Sequence, residues 1–155
     1  MTTTRDVVAV RGGLFNRDYG GRVRFSGRAA TIKCFENNPL VREALTTESG
    51  KGRVLVVDGG ASMRCALLGD MLAAAGVENG WSGVIVNGCV RDSTELSRLP
   101  LGVKALGVHP LKSAKRDPGI RGCDLSFGGV TIKDGDFIYA DEDGILVSKN
   151  ELHLG

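Results

Sequence analysis

Polar side chains that could bind a ligand follow two apolar runs of the sequence. The first run, residues 53–58, ends in an acid and two glycines, and the second, residues 83–86, ends in Asn87-Gly88. Runs of this kind are typical of strands that are buried on both faces of a parallel sheet. Ligands of such sheets collect beyond the carboxyl ends of the strands. The candidate site residues are therefore those that follow the two runs: Asp58, Gly59, Gly60, Asn87, Gly88, Arg91 and Asp92.

The Arg91-Asp92 pair permits two interpretations. Glu95 stands three residues after Asp92, and this spacing fits a capping box at the start of a short helix. Alternatively, Asp92 holds a metal ion or takes part in catalysis, with Arg91 as a fixed cation beside it. An arginine next to an acid at a strand end suits a divalent cation together with a carboxylate substrate. Both interpretations stay open on spacing alone.

Gly69-Asp70 interrupts an Ala- and Leu-rich segment of helical character, residues 65–75. Gly69 is either a packing glycine inside one helix, at a cost of about 1 kcal/mol relative to alanine, or the residue before a helix that restarts near Asp70. In the second case the N–H groups of Met71 and Leu72 would be free to bind an anion. Only the second interpretation gives a reason for an acid after a glycine.

The elements that must position these residues follow from the apolar pattern. The two runs and the helical segment between them predict a strand–helix–strand unit. Residues 103–108 predict a further strand, and residues 40–45 and 92–99 predict short helices. The expected fold class is α/β, with a central, mostly parallel sheet.

The two ends of the chain show a different pattern. Residues 1–22 have poor periodicity and are expected to form a loop or a frayed terminus. Residues 23–27 and 29–35 alternate moderately and suggest two strands in a hairpin-like arrangement. Segments separated by Asp-Gly turns predict antiparallel strands at residues 125–132, 137–140 and 145–148.

Composition excludes several classes of protein. The chain has 23 glycines in 155 residues, about twice the usual share, but only 4 prolines and no Gly-X-Y period, which favours tight turns over collagen or disorder. Net charge is only +2 and aromatic residues make up 5%, so direct nucleic-acid binding is not expected. No apolar stretch approaches the length of a membrane span and no secretion signal is visible, so we expect a cytoplasmic protein.

Other reactive side chains favour structural roles. Cys34, Cys65, Cys89 and Cys123 are scattered, and we interpret them as reduced and mostly buried thiols. His109 and His153 are too few and too separated for a zinc site, and His109 is expected in a loop. A solvated surface is the favoured interpretation of the four basic residues Lys112, Lys115, Arg116 and Arg121.

Six short motifs occur in order along the chain. They are Gly69-Asp70-Met71-Leu72, Asn79-Gly80-Trp81-Ser82-Gly83-Val84, Asn87-Gly88-Cys89-Val90-Arg91-Asp92, Leu99-Pro100-Leu101-Gly102-Val103-Lys104-Ala105-Leu106-Gly107, Phe127-Gly128-Gly129-Val130 and Tyr139-Ala140-Asp141-Glu142-Asp143-Gly144-Ile145. The ordered series resembles the RraA-like family, which includes the 4-hydroxy-4-methyl-2-oxoglutarate aldolases and the regulator of ribonuclease E activity A. The resemblance runs from about Tyr19 to Leu154.

The resemblance implies a fold, an assembly and an activity. The fold is a swivelling β/β/α domain, here one domain over residues 1–155 with residues 1–18 poorly defined, and the assembly is a homotrimer with active sites between subunits. The activity is that of a class II lyase, dependent on Mg²⁺ or Mn²⁺, which releases pyruvate from 4-hydroxy-4-methyl-2-oxoglutarate and decarboxylates oxaloacetate. The alternative is a regulator without turnover that binds a ribonuclease E-type enzyme.

The same resemblance implies roles for the motif residues. Gly69, Asp70, Met71 and Leu72 would line the pocket of a small 2-oxo acid, Arg91 would bind the substrate, and Asp92 would ligate the metal. Arg91 and Asp70 are the catalytic candidates: Arg91 neutralises a pyruvate enolate, and Asp70 orients the water that takes the C4 hydroxyl proton.

Two departures from the family pattern concern the ends of the chain. Family members generally carry a helical segment before the region that corresponds to residues 18–21, and some aldolases contribute an acid from a C-terminal extension. Here 17 residues precede that region and the chain ends at Gly155. The expectation is that trimer packing and the aldolase rate are affected more than the decarboxylase activity.

Overall fold

The computed structural model describes residues 6–153, and within them most of the strands join one mixed sheet. The elements in chain order are β1 (Val7–Ala9), β2 (Phe25–Lys33), α1 (Pro39–Thr47), β3 (Arg53–Asp58), β4 (Ala66–Leu68), α2 (Asp70–Glu78), β5 (Gly83–Val90), α3 (Ser93–Leu96), β6 (Gly102–Val108), β7 (Ile120–Arg121), β8 (Leu125–Phe127), β9 (Val130–Ile132), β10 (Phe137–Asp141) and β11 (Gly144–Ser148).

The sheet is parallel in its centre and antiparallel towards one side. Its strand order is β1-β11-β10-β2-β3-β5-β4, with β6 paired to β5 and β7 paired to β2. The pairs β2–β3, β3–β5, β4–β5 and β5–β6 are parallel, whereas β10 pairs antiparallel with both β2 and β11. The predicted α/β class, with a central parallel sheet and a C-terminal antiparallel set, is confirmed.

Apolar side chains are buried on both faces of the sheet. Successive residues of a strand point to opposite faces, so Leu55 and Val57 of β3 pack into the cluster that includes α1 and α2. Val54 and Val56 pack on the other face, in the cluster that includes the β8–β9 hairpin and the antiparallel strands. This two-sided burial explains why β3 appears in the sequence as an uninterrupted apolar run.

The expected hairpin at residues 23–35 is wrong, because residues 25–33 form one strand. The first part of β2, Phe25 to Arg28, pairs with β10, and the part from Arg28 onwards pairs with β3. β10 and β3 lie on opposite sides of β2, and Arg28 pairs with both. Gly27 lies near this point, and a Cβ there would come within 2.7 Å of the Gly52 carbonyl oxygen.

Three further boundaries differ from the expectations. Residues 66–68 are a strand rather than helix, since they pair with the end of β5. Residues 125–132 are two strands, because Gly128 and Gly129 take φ values of 60° and 78° and form the turn between β8 and β9. Residues 7–9 are not frayed, since they add a strand beside β11. Residues 1–5 of that expected loop lie outside the described residues.

Three ion pairs join strands of the sheet to neighbouring segments. The Lys104 side chain of β6 is 1% exposed, and its Nζ lies 3.0 Å from the Asp18 carboxylate. Glu48, which follows α1, accepts two hydrogen bonds of 2.6 Å from Arg121 of β7 and one of 3.4 Å from Arg53 of β3. Arg121 is therefore paired rather than solvated, which corrects the expectation for that residue.

Replacement of Glu48 by glutamine is expected to give a pH-dependent loss of stability. The hydrogen bonds from Arg121 hold the pKa of Glu48 below its ordinary value. A carboxyl with a lowered pKa stabilises the folded state above its unfolded-state pKa and loses that contribution as the pH falls through the folded-state value. We expect Glu48→Gln to lower the free energy of unfolding at pH 7 by about 1 kcal/mol.

Urea unfolding at pH 7 and at about pH 3.5, below the ordinary glutamate pKa, measures this effect. The difference between wild type and Glu48→Gln should shrink at the lower pH, while the exposed Glu78→Gln control should change little at either. A difference that stays constant with pH would contradict the proposed role of the ion pair.

Candidate functional site

The parallel pairing of β4 and β5 brings the residues after both strands together. Helix α2 begins two residues after the end of β4, and Arg91 and Asp92 directly follow β5. The Arg91 N–H donates a hydrogen bond of 2.9 Å to the Leu68 carbonyl. The structure therefore places the Gly69-Asp70 start of the helix beside Arg91-Asp92, as expected from the carboxyl ends of parallel strands.

The carboxylate of Asp92 binds the first N–H group of α2. Its Oδ2 accepts a hydrogen bond of 3.0 Å from the Asp70 backbone N–H. Asp92 also precedes α3, but its side chain makes no capping bond to that helix. The capping-box interpretation is thus wrong: the spacing from Asp92 to Glu95 is present, but the carboxylate caps a different helix.

The backbone of Asp92 has the left-handed conformation that orients this carboxylate. Its φ and ψ angles are 58° and 47°. Few residues other than glycine adopt this conformation, and aspartate is among those that tolerate it best. Backbone strain at such a position is commonly associated with a functional site.

Glycine is required at position 69 because the side chains of Asp92 and Arg91 approach it closely, and not because of its backbone angles. Its φ of −127° and ψ of −173° are open to any residue. A Cβ at this position, however, would lie 2.8 Å from Asp92 Oδ2 and 2.9 Å from Arg91 Nε. Gly69 directly precedes the start of α2 and follows a strand, so it is neither a packing glycine inside one helix nor a break between two helical segments.

The two carboxyl groups of the site have opposite pKa shifts. The pKa of Asp70 is raised, first by a hydrogen bond with Asp92 and then by burial and the Asp92 charge. The pKa of Asp92 is lowered, first by the Asp70 N–H bond, with Arg91 and Lys112 contributing through their charge. Asp92 is thus the carboxylate that keeps its charge, and Asp70 is the one that more readily takes a proton.

The start of α2 offers N–H groups to an anion. The Ala73 N–H donates to the Gly69 carbonyl, so helix geometry leaves the preceding N–H groups without a carbonyl of the helix. That of Asp70 is taken by Asp92, and that of Met71 interacts with the carboxylate of Asp70 itself. The N–H group of Met71 is therefore not free, which corrects the expectation. The N–H group of Leu72 is still available to an anion.

A cavity of about 100 Å³ opens beside the start of α2. Four predicted site residues line it: Gly69, Met71, Leu72 and Arg91. The lining also includes polar residues from the start of α1 and from the segment after β6, namely Asn38, Arg42, Lys112, Ser113 and Lys115. Lys112 and Lys115 are exposed, as the sequence predicts. The sequence does not single out Asn38, Arg42 or Ser113, because no motif or periodic pattern marks them.

Arg91 separates this cavity from a second one. The second cavity has a volume of about 210 Å³, and its lining includes Arg91, Asp92, Val108 and His109. The predicted loop position of His109 is confirmed, and its Nδ1 accepts a hydrogen bond of 3.1 Å from the Leu111 N–H. The guanidinium of Arg91 can therefore contact a ligand that occupies either cavity.

The other candidates at the strand ends form a structural pair instead. Asn87 Nδ2 donates a hydrogen bond of 2.9 Å to Asp58 Oδ1, which also accepts one of 3.0 Å from the Gly60 N–H. Both side chains are buried and bind each other. Within residues 6–153, neither they nor Gly59, Gly60 and Gly88 line the two cavities beside Arg91.

The cysteines are free thiols. Cys34, Cys65 and Cys89 are buried and Cys123 is partly buried, in agreement with the expected structural role. Burial raises the pKa of Cys34 to about 12. A thiol with such a pKa is almost wholly protonated near neutral pH, so Cys34 is a poor nucleophile.

The donor set of the site suits a hard cation. In the described part of the chain, no group of three or more His, Cys, Asp or Glu side chains could hold a metal. Asp70 and Asp92 nevertheless bring two carboxyl groups together, and each alters the pKa of the other. Mg²⁺ is commonly bound through one or two carboxylates and keeps several waters, so these residues fit such an ion.

Comparison with known proteins identifies the family of the chain. The family model "RraA-like: Aldolase/RraA" matches residues 4–147. The chain belongs to the RraA-like family. It is 65% identical, over 88% of its length and 84% of the relative, to a protein of Alkalilimnicola ehrlichii named "Putative 4-hydroxy-4-methyl-2-oxoglutarate aldolase". A protein of the same name from Halorhodospira halophila is 60% identical over 88% of this chain and 82% of the relative.

Two solved structures superpose on this chain with the same TM-score. "RNA-processing inhibitor RraA from Thermus thermophilis" superposes with a TM-score of 0.91 at 44% identity, covering 97% of this chain and 90% of the other. A Geobacillus kaustophilus structure described as an S-adenosylmethionine:2-dimethylmenaquinone methyltransferase has the same TM-score at 46% identity, covering 97% and 93%. Over residues 6–153, the chain forms no helix of the length and hydropathy that a membrane span requires.

Replacement of Gly69 by valine should disrupt the site more than the fold. The valine Cβ would displace the side chains of Asp92 and Arg91, while its backbone angles suit valine. Pyruvate formation, the activity that the family resemblance implies, is expected to fall by about 100-fold, because displacing a catalytic group by about 1 Å can have an effect of this size. The melting temperature should fall by only a few degrees. For a chain of this size, such a shift corresponds to a loss of about 1 kcal/mol in the free energy of unfolding.

Gly12→Val is the matched control, because no atom lies within 4 Å of a Cβ at Gly12 and its φ is not in the left-handed region. Pyruvate formation is followed enzymatically and melting by circular dichroism. A Gly69→Val protein that is unfolded, or that is as active as the control, would contradict the assigned role of Gly69.

Proposed function

We propose that the chain is a divalent-metal-dependent lyase that cleaves 4-hydroxy-4-methyl-2-oxoglutarate to release pyruvate and also decarboxylates oxaloacetate. The observation that carries the proposal is the contact between the start of α2 and Arg91-Asp92, in which a charged carboxylate, a guanidinium and a helix N-terminus converge. The names of the similar aldolases support the same reaction class.

The substrate carboxylate binds at the start of α2. The Leu72 N–H and the positive end of the helix dipole attract an anion there, and Gly69 has no side chain that would block the approach. Arg91 lines the same cavity and contributes a charge-assisted hydrogen bond. These groups fix the carboxylate that pyruvate, oxaloacetate and the aldol substrate have in common.

Arg91 also stabilises the charge that develops during the reaction. Breaking the C–C bond of the aldol substrate, or the bond to the departing CO₂ of oxaloacetate, leaves the same enolate of pyruvate. A fixed guanidinium within reach of the enolate oxygen lowers the energy of the transition state for both reactions. The common enolate explains how one site carries out both.

Asp70 takes part in the proton transfer of the aldol reaction. Cleavage requires a base to take the proton of the C4 hydroxyl group, and Asp70 accepts it through an intervening water. Its raised pKa, caused first by the hydrogen bond with Asp92, suits a group that must gain a proton. Oxaloacetate has no C4 hydroxyl group, so its decarboxylation does not need this step.

A divalent cation, Mg²⁺ or Mn²⁺, would be held by Asp92, with Asp70 beside it. When bound, the ion supplies Lewis-acid polarisation of the substrate keto oxygen. Asp92 keeps its negative charge because the Asp70 N–H and Arg91 lower its pKa, and it remains available to a cation over the physiological pH range.

Pyruvate release tests this proposal through the metal and the charge of Asp92. We expect release from both substrates with Mn²⁺ and none with excess EDTA. Asp92→Asn keeps an oxygen for the Asp70 N–H but removes the charge, so it should stay folded and lose about 100-fold in rate. Asp124→Asn, at an exposed position, is the matched control. Metal-independent release, or no release from a folded protein, would contradict the enzyme proposal.

A regulator that binds a ribonuclease E-type enzyme is the second candidate. It is favoured by the 44% identity to the Thermus protein described as an RNA-processing inhibitor. Such a regulator needs a surface that binds the ribonuclease, but it does not need to convert a substrate. Inhibition of RNA cleavage by wild type and Asp92→Asn alike, without pyruvate release by either, would favour the regulator over the lyase.

We further propose that the working form is a homotrimer in which a neighbouring subunit covers the site. Large apolar side chains lie exposed beside the cavities, namely Met71 at 80%, Leu111 at 60% and Val108 at 47% exposure. Exposed apolar side chains that cluster beside a site are typical of a surface that a partner covers. Sedimentation equilibrium should give three times the mass of the chain, and a monomer under conditions that support turnover would contradict the trimer.

A further inference from the structure

We propose that a groove along β10 and β11 binds the basic segment of a second copy of this chain, so that copies associate head to tail. The groove has a volume of about 560 Å³ and is called the acidic groove below. The basic segment is residues 111–118. The inference rests on the trimer of the proposed function, and it names the two surfaces that join neighbouring subunits.

The acidic groove and the basic segment lie at opposite ends of the sheet. Strand β10 runs antiparallel to β2, and Ala140 near its end pairs with Phe25, the first residue of β2. The turn after β10 therefore stands where the parallel strands begin. The basic segment follows β6 and lies where those strands end. Because β2 has 9 residues and spans about 30 Å, one copy cannot place its groove on its own basic segment.

The acidic groove carries an excess of negative charge. The charged residues of the groove and of the turn between β10 and β11 are Arg24, Asp141, Glu142 and Asp143. The Arg24 guanidinium donates hydrogen bonds of 2.8 and 3.3 Å to the Glu142 carboxylate. The two aspartates add negative charge that this ion pair does not balance. The groove therefore attracts a cationic surface.

The basic segment has the opposite excess of charge and a fixed backbone. Its charged residues, all of them exposed, are Lys112, Lys115, Arg116 and Asp117. The Asn38 N–H donates a hydrogen bond of 3.3 Å to the Ala114 carbonyl, and the Ala114 N–H donates one of 2.9 Å to the Glu36 carbonyl. Since the segment is already tied to the residues before α1, it loses little conformational freedom when a partner binds.

Exposed apolar side chains accompany the charges on both surfaces. Ala9, Leu146 and Tyr139 are neighbours across three strands, and all three line the acidic groove. Leu111 of the basic segment is 60% exposed, and Ile120 beyond it is 58% exposed. An apolar centre with a charged rim is the usual composition of a protein interface. The groove therefore fits a segment in which an exposed leucine stands beside lysines.

Two different surfaces of one chain give an interface that forms a closed ring. An interface of this kind is heterologous, and it yields a ring when the rotation between copies closes. Lys112 and Lys115 belong to the basic segment and also line the cavity beside Arg91. A copy that binds the segment therefore covers the mouth of that cavity. The acidic turn of one copy then lies beside the site of the next.

Charge reversal on each surface tests the interface. Asp143→Lys and Arg116→Glu should each raise the dissociation constant of the trimer by about 100-fold, because like charges then face each other. The double variant pairs opposite charges again and should recover the trimer. Both side chains are exposed, and within residues 6–153 neither forms a hydrogen bond, so the variants should stay folded. Asp124→Lys, at an exposed position outside the groove, is the matched control for sedimentation equilibrium.

Cross-linking of the wild-type protein tests which surfaces meet. A carbodiimide joins carboxylates to lysine amines that are in contact. Unlabelled and ¹⁵N-labelled protein are mixed, allowed to exchange subunits, cross-linked and digested for mass spectrometry. We expect links between an unlabelled and a labelled peptide that join residues 141–143 to Lys112 or Lys115.

The outcomes separate this inference from the proposed function. A trimer whose mixed links lie elsewhere, or which the single reversals leave intact, would overturn the two surfaces but not the lyase. A double variant that stays dissociated would overturn the charge pairing. A wild-type monomer that releases pyruvate would refute the interface and leave the lyase in place. A trimer with the expected links that releases no pyruvate would support the interface without the lyase.

Discussion

The hydrogen bond from the Asp70 N–H to the Asp92 carboxylate is the contact on which the site depends. It joins the start of α2 to the turn that follows β5, two points 22 residues apart in sequence. The bond is possible because Gly69 has no side chain between the two, and because Asp92 takes a left-handed backbone conformation. A change at any of these residues moves Arg91 as well, since it packs against the same glycine.

Charges of both signs lie close to this bond. Asp92 keeps its negative charge, and Arg91 and Lys112 help to lower its pKa. Both cations also line the cavity of about 100 Å³, together with Arg42 and Lys115. A ligand that carries a carboxylate and also binds a divalent cation would match both signs of charge. Electrostatics of this kind restrict the ligand class more than the shape of a small cavity does.

Sequence predicted the parts of the site that follow from local pattern. The apolar run of β3 and the polar residues after β5 are local signals, so the sequence predicts that Arg91 and Asp92 follow a strand, as they do in the structure. The partner of the Asp92 carboxylate is not predictable in this way, because a capping box and a bond to a distant helix require the same residue at the same position. Asn38 and Ser113 carry no local signal, since their place beside Gly69 results from packing of α1 and the β6–β7 segment against the sheet. Short strands such as β4 were missed because three apolar residues fit a helix or a strand equally well.

Two parts of the site bear differently on whether the protein binds a small molecule. The bond between Asp70 and Asp92 caps a helix, so it stabilises the fold in a catalyst and in a regulator alike. The side-chain oxygens of Asn38 and Ser113 have no partner within residues 6–153, so each leaves a desolvation cost unrecovered in the free protein. Both residues line the cavity beside Gly69, and a ligand that forms hydrogen bonds with these oxygens would recover that cost. These two atoms therefore argue for a small-molecule ligand more directly than the helix cap does.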